Sequence, residues 1–130
     1  MKTIFIVDDN HTNLATAKEA LDGRFRTFAM SSAVRMFKLA EKIKPDLILL
    51  DIEMPGMDGF EAIQEIKKDS RLHDVPVIFL TSRNDAEAEI RGFEMGALVF
   101  INKAFSPPVL IRRIEMIWER LLTEYSRYAA

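Results

Sequence analysis

Cysteine is absent from the chain. Disulfides and thiolate metal sites are therefore excluded, and the expected location is the cytoplasm. Long apolar runs are absent as well. None approaches the ~20 residues that a membrane helix needs. The N-terminus offers one lysine and a four-residue apolar run, Ile4 to Val7, too short for a signal-peptide core. An excess of either charge is also lacking: 18 Lys and Arg face 20 Asp and Glu, for a net charge of −2. That balance gives no basic patch, so direct binding of nucleic acid by this domain is not expected. There is no repeat and no low-complexity segment.

What is present is a core. Of 130 residues, 48% are apolar, enough for one ordinary domain. The chain is organised around Asp51-Ile52-Glu53-Met54-Pro55-Gly56-Met57-Asp58-Gly59. Leu47-Ile48-Leu49-Leu50 before it reads as a strand buried on both faces. Asp51 is then a carboxylate at the carboxyl end of a buried strand, the edge of a parallel sheet where ligands collect. Pro55, Gly56 and Gly59 hold the next segment as a loop. Asp58 with Glu61 fits a capping box that starts a helix carrying Phe60, Ile63 and Ile66.

The other elements follow the same logic. Thr3 to Val7 is a buried strand ending in Asp8-Asp9, and Asn10 caps a helix with Leu14, Ala17 and Leu21 that stops near Gly23. Phe25 to Ala29 mixes apolar and polar positions, as an edge strand does. Ser31 or Ser32 caps a helix with Val34, Phe37 and Ala40 on one face, and Pro45 lies beyond its end. Pro76 to Leu80 is a buried strand ending at Thr81-Ser82. Asn84 is read as the cap of a fourth helix with the stripe Ala86, Ile90, Phe93 and Ala97. Leu98 to Ile101 is the last strand, ending at Asn102-Lys103. Ser106-Pro107 opens the final helix, with Leu110, Ile114, Ile117, Leu121, Tyr125 and Tyr128 as its stripe.

Five strands alternating with five helices predict an α/β fold with helices on both faces of one parallel sheet. An amphipathic second strand belongs on an edge. That favours a flavodoxin-like, doubly wound (βα)5 architecture with a five-stranded sheet of order 2-1-3-4-5. Asp8, Asp9, Asp51, Thr81 and Lys103 all end predicted strands and so share one rim. Clustered carboxylates repel one another, and a hard divalent cation relieves that; Mg²⁺ suits such a site and keeps an open side for water and phosphate oxygens. A lysine and a hydroxyl nearby suit a phosphoryl group. A carboxylate can itself be the attacking group, giving an aspartyl phosphate.

Val7-Asp8-Asp9, the Asp51-x-x-Met54-Pro55-x-Met57-Asp58-Gly59 loop, Leu80-Thr81-Ser82 and Lys103 together resemble the receiver domain of two-component response regulators, from Lys2 to about Leu122. The resemblance implies that Asp51 is the phosphoacceptor. Its phosphoryl donor would be a phosphohistidine on a sensor histidine kinase or a histidine phosphotransfer protein. Asp9 would bind Mg²⁺ directly, Asp8 largely through water, and the backbone carbonyl of Glu53 would be a further ligand. Lys103 would pair with the phosphoryl group and Thr81 would move toward it. Phe100 would then swing into the space that Thr81 leaves. The fourth helix, last strand and fifth helix would form the face read by an output domain or target protein, or by a second copy in a homodimer. The domain would be a signalling switch, its own chemistry limited to phosphotransfer onto itself and slow autodephosphorylation.

The sequence departs from that pattern in places. Ala104 stands where the family has proline after the lysine, joined by a cis bond. A cis bond to a non-proline residue costs ~2.5–4 kcal/mol, yet the Lys103–Ala104 bond is expected to be cis, because the lysine must point into the site. Leu98-Val99 replaces an acidic pair and adds an apolar spot near the signalling face. Phe100 stands where tyrosine is common. Glu53 and Arg83 occupy positions that tune phosphoryl loss in the family.

Residues 1–122 are read as the receiver domain. Residues 123–130 are read as the end of the last helix or the start of a linker to an output domain, with a dimer contact as another reading of the same helix. Glu87, Glu89, Arg91, Arg112 and Arg113 could exchange ion pairs in a dimer. His11 and His73 read as surface residues, and Met54 and Met57 as packing residues of the loop. Two other functions stay open. A phosphohydrolase with an aspartate nucleophile needs a carboxylate two residues beyond the nucleophile and a lid; Asp8-Asp9 lacks that spacing and the chain is short for a cap. A receiver-like interaction module without phosphorylation is opposed by the intact acidic set, Thr81 and Lys103.

Overall fold

The computed structural model describes residues 1–83 and 85–129, with side chains to residue 123. Its elements are β1 (Thr3–Val7), α1 (His11–Leu21), β2 (Arg26–Met30), α2 (Ala33–Ala40), β3 (Leu47–Leu50), α3 (Gly59–Lys68), β4 (Val77–Thr81), α4 (Ala86–Glu94), β5 (Val99–Asn102) and α5 (Pro107–Ala129). All strand pairs are parallel and the sheet order is β2-β1-β3-β4-β5. This is the flavodoxin-like α/β fold expected from the strand pattern.

The continuous apolar strands divide their side chains between two faces, because successive residues point to opposite sides of a sheet. Ile4, Ile6, Leu47, Leu49, Ile78, Leu80 and Ile101 pack under α1 and α5. Phe5, Val7, Ile48, Leu50, Val77 and Phe79 pack under α2, α3 and α4. Burying each such side chain is worth roughly 1.5–3 kcal/mol, and a one-residue slip of any central strand would exchange the two sets. β2 and β5 are the edge strands, and along β2 exposure is mixed, with Arg26 and Ala29 exposed and Thr27 and Met30 buried.

Local signals place most of the helices. Asn10 Oδ1 accepts from the Asn13 N–H at 2.9 Å, and Ser32 caps α2 through the Arg35 N–H. Asp58 and Glu61 form the full capping box of α3. The buried faces of α1 and α3 are those the periodicity marked.

Two helices present a different face. On α4 the buried residues are Ala88 and Gly92, while Ile90 and Phe93 are exposed. The reason is the surface beneath: a Cβ on Gly92 would lie 2.4 Å from the Phe100 ring, so only a residue without a side chain fits there. On α2 Met36 takes the core and Val34 is exposed. The cap of α4 is Asp85, which accepts from the Ala88 N–H at 2.9 Å; the expected cap, Asn84, lies outside the described residues. On α5 Leu110, Ile114 and Ile117 are buried and Leu121 is largely exposed. The side chains of Tyr125 and Tyr128 lie outside the described residues. Trp118 ties α5 to the far rim by donating from Nε1 to the Asp46 carbonyl at 3.2 Å.

Candidate functional site

Strand register builds the site. Val7 pairs with Leu50, Leu50 with Phe79, and Thr81 with Asn102. The residues at or just past these positions are Asp8, Asp51, Thr81 and Lys103, so one sheet edge collects them all. The backbone extends the ladder to this rim: the Asp51 N–H donates to the Val7 carbonyl at 2.9 Å, and the Lys103 N–H donates to the Thr81 carbonyl at 3.2 Å.

The side chains converge. Lys103 Nζ lies 2.9 Å from Asp8 Oδ2 and 3.1 Å from Asp51 Oδ2. Carboxylate oxygens of Asp8, Asp9 and Asp51 lie within 4.8 Å of one another. Asp8 and Asp51 are buried and Asp9 is exposed, so the cluster opens to solvent on the Asp9 side. Backbone N–H groups fix the two buried acids. Asp51 Oδ1 accepts from Ile52 and Asp8 Oδ1 from Asn10, both at 2.9 Å. The hydroxyl of Thr81 is buried and accepts from the Arg83 N–H at 3.1 Å.

The electrostatics follow from this crowding. Burial, and next the charge on Asp8, push the Asp51 carboxyl above the ordinary carboxylate range, while Lys103 and Thr81 pull it partly back. Burial alone would lower Lys103, but its bonds to Asp8 and Asp51 outweigh it and hold the ammonium firmly protonated. Three carboxylates thus face one ammonium. The donor set is hard oxygen, and a cluster of this kind could hold a metal ion. The Glu53 carbonyl accepts no backbone N–H among the described residues and lies two positions past Asp51.

The Lys103–Ala104 bond corrects an expectation: among the described residues no peptide bond is cis, and Lys103 still reaches the site. The Ala104 N–H donates to Asn102 Oδ1 at 2.7 Å, a turn that proline, lacking the N–H, could not make. Asn102 therefore positions the lysine loop, a role that its residue type alone did not signal. Gly59 was legible only as a loop breaker. Its second role is close approach: a Cβ there would lie 2.3 Å from the Asp51 carbonyl oxygen, so α3 can press against the end of β3 only through a glycine.

Phe100 is half-buried, its ring 5.1 Å from that of Phe79 and 5.3 Å from that of Phe93. Arg91 stacks its guanidinium over Phe60 at 4.2 Å, and Arg112 pairs with Glu119 at 2.9 Å. Those two arginines are thus engaged within the chain. His11 and His73 are exposed, and Met54 packs into the core.

A parallel sheet with a buried acid at its central strand end, two further acids, a hydroxyl and a lysine on one rim defines a class of doubly wound α/β domain with its polar site at the carboxyl edge of the sheet. Within that class, the family model described as "Response regulator receiver domain" matches residues 4–115, and the chain belongs to that family. A "Probable cyclic di-GMP phosphodiesterase" of Vibrio cholerae is 39% identical over 112 residues, covering 86% of this chain and 25% of that protein. The phosphate regulon transcriptional regulatory protein PhoB of Escherichia coli is 44% identical over 77 residues, 59% of this chain and 34% of the relative. Among solved structures, the BeF3-activated DrrB receiver domain matches with a TM-score of 0.82 and 28% identity, covering 92% of this chain and 98% of that one. A CheY-like receiver domain of Methanospirillum hungatei matches at 0.85 and 25% identity, over 95% and 98%. The chain spans only a quarter to about half of curated relatives such as these. The phosphodiesterase match lies in a quarter of a longer protein, so it speaks for a shared receiver domain and not for that activity. Receiver domains are signalling switches that work with histidine kinases and output domains. Among the described residues no helix is long and apolar enough to cross a membrane.

Proposed function

We propose that this receiver domain accepts a phosphoryl group on Asp51 from a phosphohistidine of a sensor kinase or a histidine phosphotransfer protein. The observation that carries the reading is the convergence on Asp51 of an ammonium at 3.1 Å and of two further carboxylates. In the transfer, a carboxylate oxygen of Asp51 attacks phosphorus. The phosphorus–nitrogen bond breaks and its electron pair returns to the donor imidazole. Lys103 holds one phosphoryl oxygen, leaving its present bonds to the carboxylates. Thr81 donates its hydroxyl to another. The Ile52 N–H keeps the Asp51 carboxylate oriented.

Asp8, Asp9, Asp51 and the Glu53 carbonyl would hold Mg²⁺, whose charge offsets that of the acids and of the incoming phosphoryl oxygens. The reading extends to the switch. Movement of Thr81 toward the phosphoryl group opens room toward Phe100, and the Phe100 ring already lies against Gly92 of α4. Exposed large apolar side chains concentrate on α4, α5 and the turn before β5: Ile90, Phe93, Leu98, Val109 and Met116. That face would dock an output domain, a target protein or a second copy. Residues 1–122 form the receiver in this reading, residues 123–130 lead toward an output domain, and the site of action is the cytoplasm.

The test is incubation with acetyl phosphate, with and without Mg²⁺, read by intact mass. One added phosphoryl group that needs Mg²⁺ and is lost in Asp51→Asn is expected. Absence of labelling in Mg²⁺ would favour an unphosphorylated interaction module. Steady turnover of a small phosphate ester would favour a hydrolase.

A further inference from the structure

A second concave surface lies beside the phosphorylation rim, on the β2 edge between α1 and α2. It is an open groove of about 800 Å³. Its floor is apolar, formed by Leu14, Met30 and Leu39. Its wall carries Arg35, Lys38 and Lys42. All three cations are exposed, and none forms an ion pair among the described residues. Glu41 is the single acid in the lining.

Helix stability does not account for this row. Lys38 sits in the last turn of α2, where a cation suits the helix dipole. Arg35 lies in the first turn, beside the Ser32 cap, where a cation opposes that dipole, and the turn has no acid to balance it. The arrangement is also linear. Arg35 and Lys38 stand about one helical turn apart on α2 and Lys42 follows two residues past its end, a succession along the chain rather than the single cluster that a compact phosphate needs. A chain whose net charge is −2 has here a local positive strip over an apolar trough.

We infer that this groove docks an acidic amphipathic segment of a partner protein, its apolar side on the Leu14–Met30–Leu39 floor and its carboxylates along Arg35, Lys38 and Lys42. Helix-in-groove recognition takes apolar anchors at helical spacing, and charge complementarity fixes direction and partner. The groove adjoins the N-terminus of α1 at His11, two residues beyond Asp9, so a partner seated there lies beside the phosphorylation rim without covering Asp51. The surface does not depend on Asp51 being the acceptor.

The experiment uses the full chain, ¹⁵N-labelled, and four probes: a capped helical peptide with leucines on one stripe flanked by glutamates, a scrambled version of that acidic peptide, the original with lysines for glutamates, and inorganic pyrophosphate. At physiological salt the acidic peptide is expected to shift the amides of Leu14, Ala29, Ser31 and Leu39 saturably. The triple reversal Arg35→Glu, Lys38→Glu, Lys42→Glu, made at exposed positions, is expected to weaken it at least tenfold and to gain binding of the lysine peptide. A second reversal, Arg112→Glu with Arg113→Glu on α5, is expected to leave it unchanged. Equal response to a scrambled acidic peptide, or shifts spread over the surface, would overturn the proposal. So would pyrophosphate binding as tightly at the same amides, which would assign the groove to a phosphate ligand. Sedimentation of the protein alone that depends on concentration and is abolished by the triple reversal would assign it to a second copy instead.

Discussion

Neutralising the proposed phosphoacceptor is expected to stabilise the fold. A like charge no more than 4.8 Å from Asp51 costs on the order of 3 kcal/mol at an effective dielectric of ~20. Lys103 at 3.1 Å returns on the order of 5 kcal/mol on the same scale. Two acids against one ammonium nearly cancel, so desolvation decides the sign, and Asp51 is only 3% exposed. Asp51→Asn removes the charge while keeping an acceptor for Lys103 and for the Ile52 N–H. The gain expected in the presence of a chelator is ~1 kcal/mol, or a urea midpoint higher by roughly 0.5 M. The pH dependence has a defined direction. The folded state holds the Asp51 proton more tightly than the unfolded chain does. Stability from this group is therefore full below the unfolded value of ~3.9 and is lost as pH rises through the raised folded value. Asp51→Asn flattens that slope. A divalent cation should restore stability to the native protein, since it binds only the folded cluster, and should restore less to the variant. Urea unfolding followed by the single tryptophan reads all of this. A variant no more stable than the native protein at neutral pH in chelator, or one gaining equally from Mg²⁺, would refute the reasoning.

Other expectations follow from neighbouring geometry. Asp58→Ala removes the capping box of α3 and should cost ~1 kcal/mol, measured by the same unfolding, with faster amide exchange confined to the first turn of that helix. Gly92→Ala places a Cβ on the Phe100 ring and should cost ~1–3 kcal/mol; an unchanged midpoint would show that α4 does not press on that ring. Asp22 carries the reverse pH signature. Its carboxyl is held below the ordinary range chiefly by the Thr27 hydroxyl, with Lys18 assisting. Its contribution is present above the unfolded value and is lost as pH falls through the depressed folded one. Thr27→Val should reduce that loss in an acid titration of stability.

The rim was legible because strand ends are legible. Buried strands announce themselves by apolar runs, and in a parallel sheet their carboxyl ends must meet. Asp8, Asp51, Thr81 and Lys103 could therefore be placed together without a contact map. The outward face of α4 was not legible for a related reason. A helix normally buries its large apolar stripe, but α4 lies over a sheet surface already filled by Phe79 and Phe100. Only Ala88 and Gly92 fit against it, and Ile90 and Phe93 face solvent. Periodicity reports that an apolar stripe exists, not which partner covers it. The trans bond after Lys103 was hidden for a local reason. The sequence shows the loss of proline at Ala104. It does not show that the freed N–H would be taken by Asn102 and the loop held without the cis bond.

The most direct measurement is the position of the trapped phosphoryl group. Protein incubated with acetyl phosphate and Mg²⁺ is reduced with borohydride, which converts an aspartyl phosphate to homoserine, then digested and sequenced by tandem mass spectrometry. The account requires homoserine at position 51 and at no other aspartate. Homoserine at position 8, 9 or 58, or none in a protein that has gained phosphoryl mass, would contradict it.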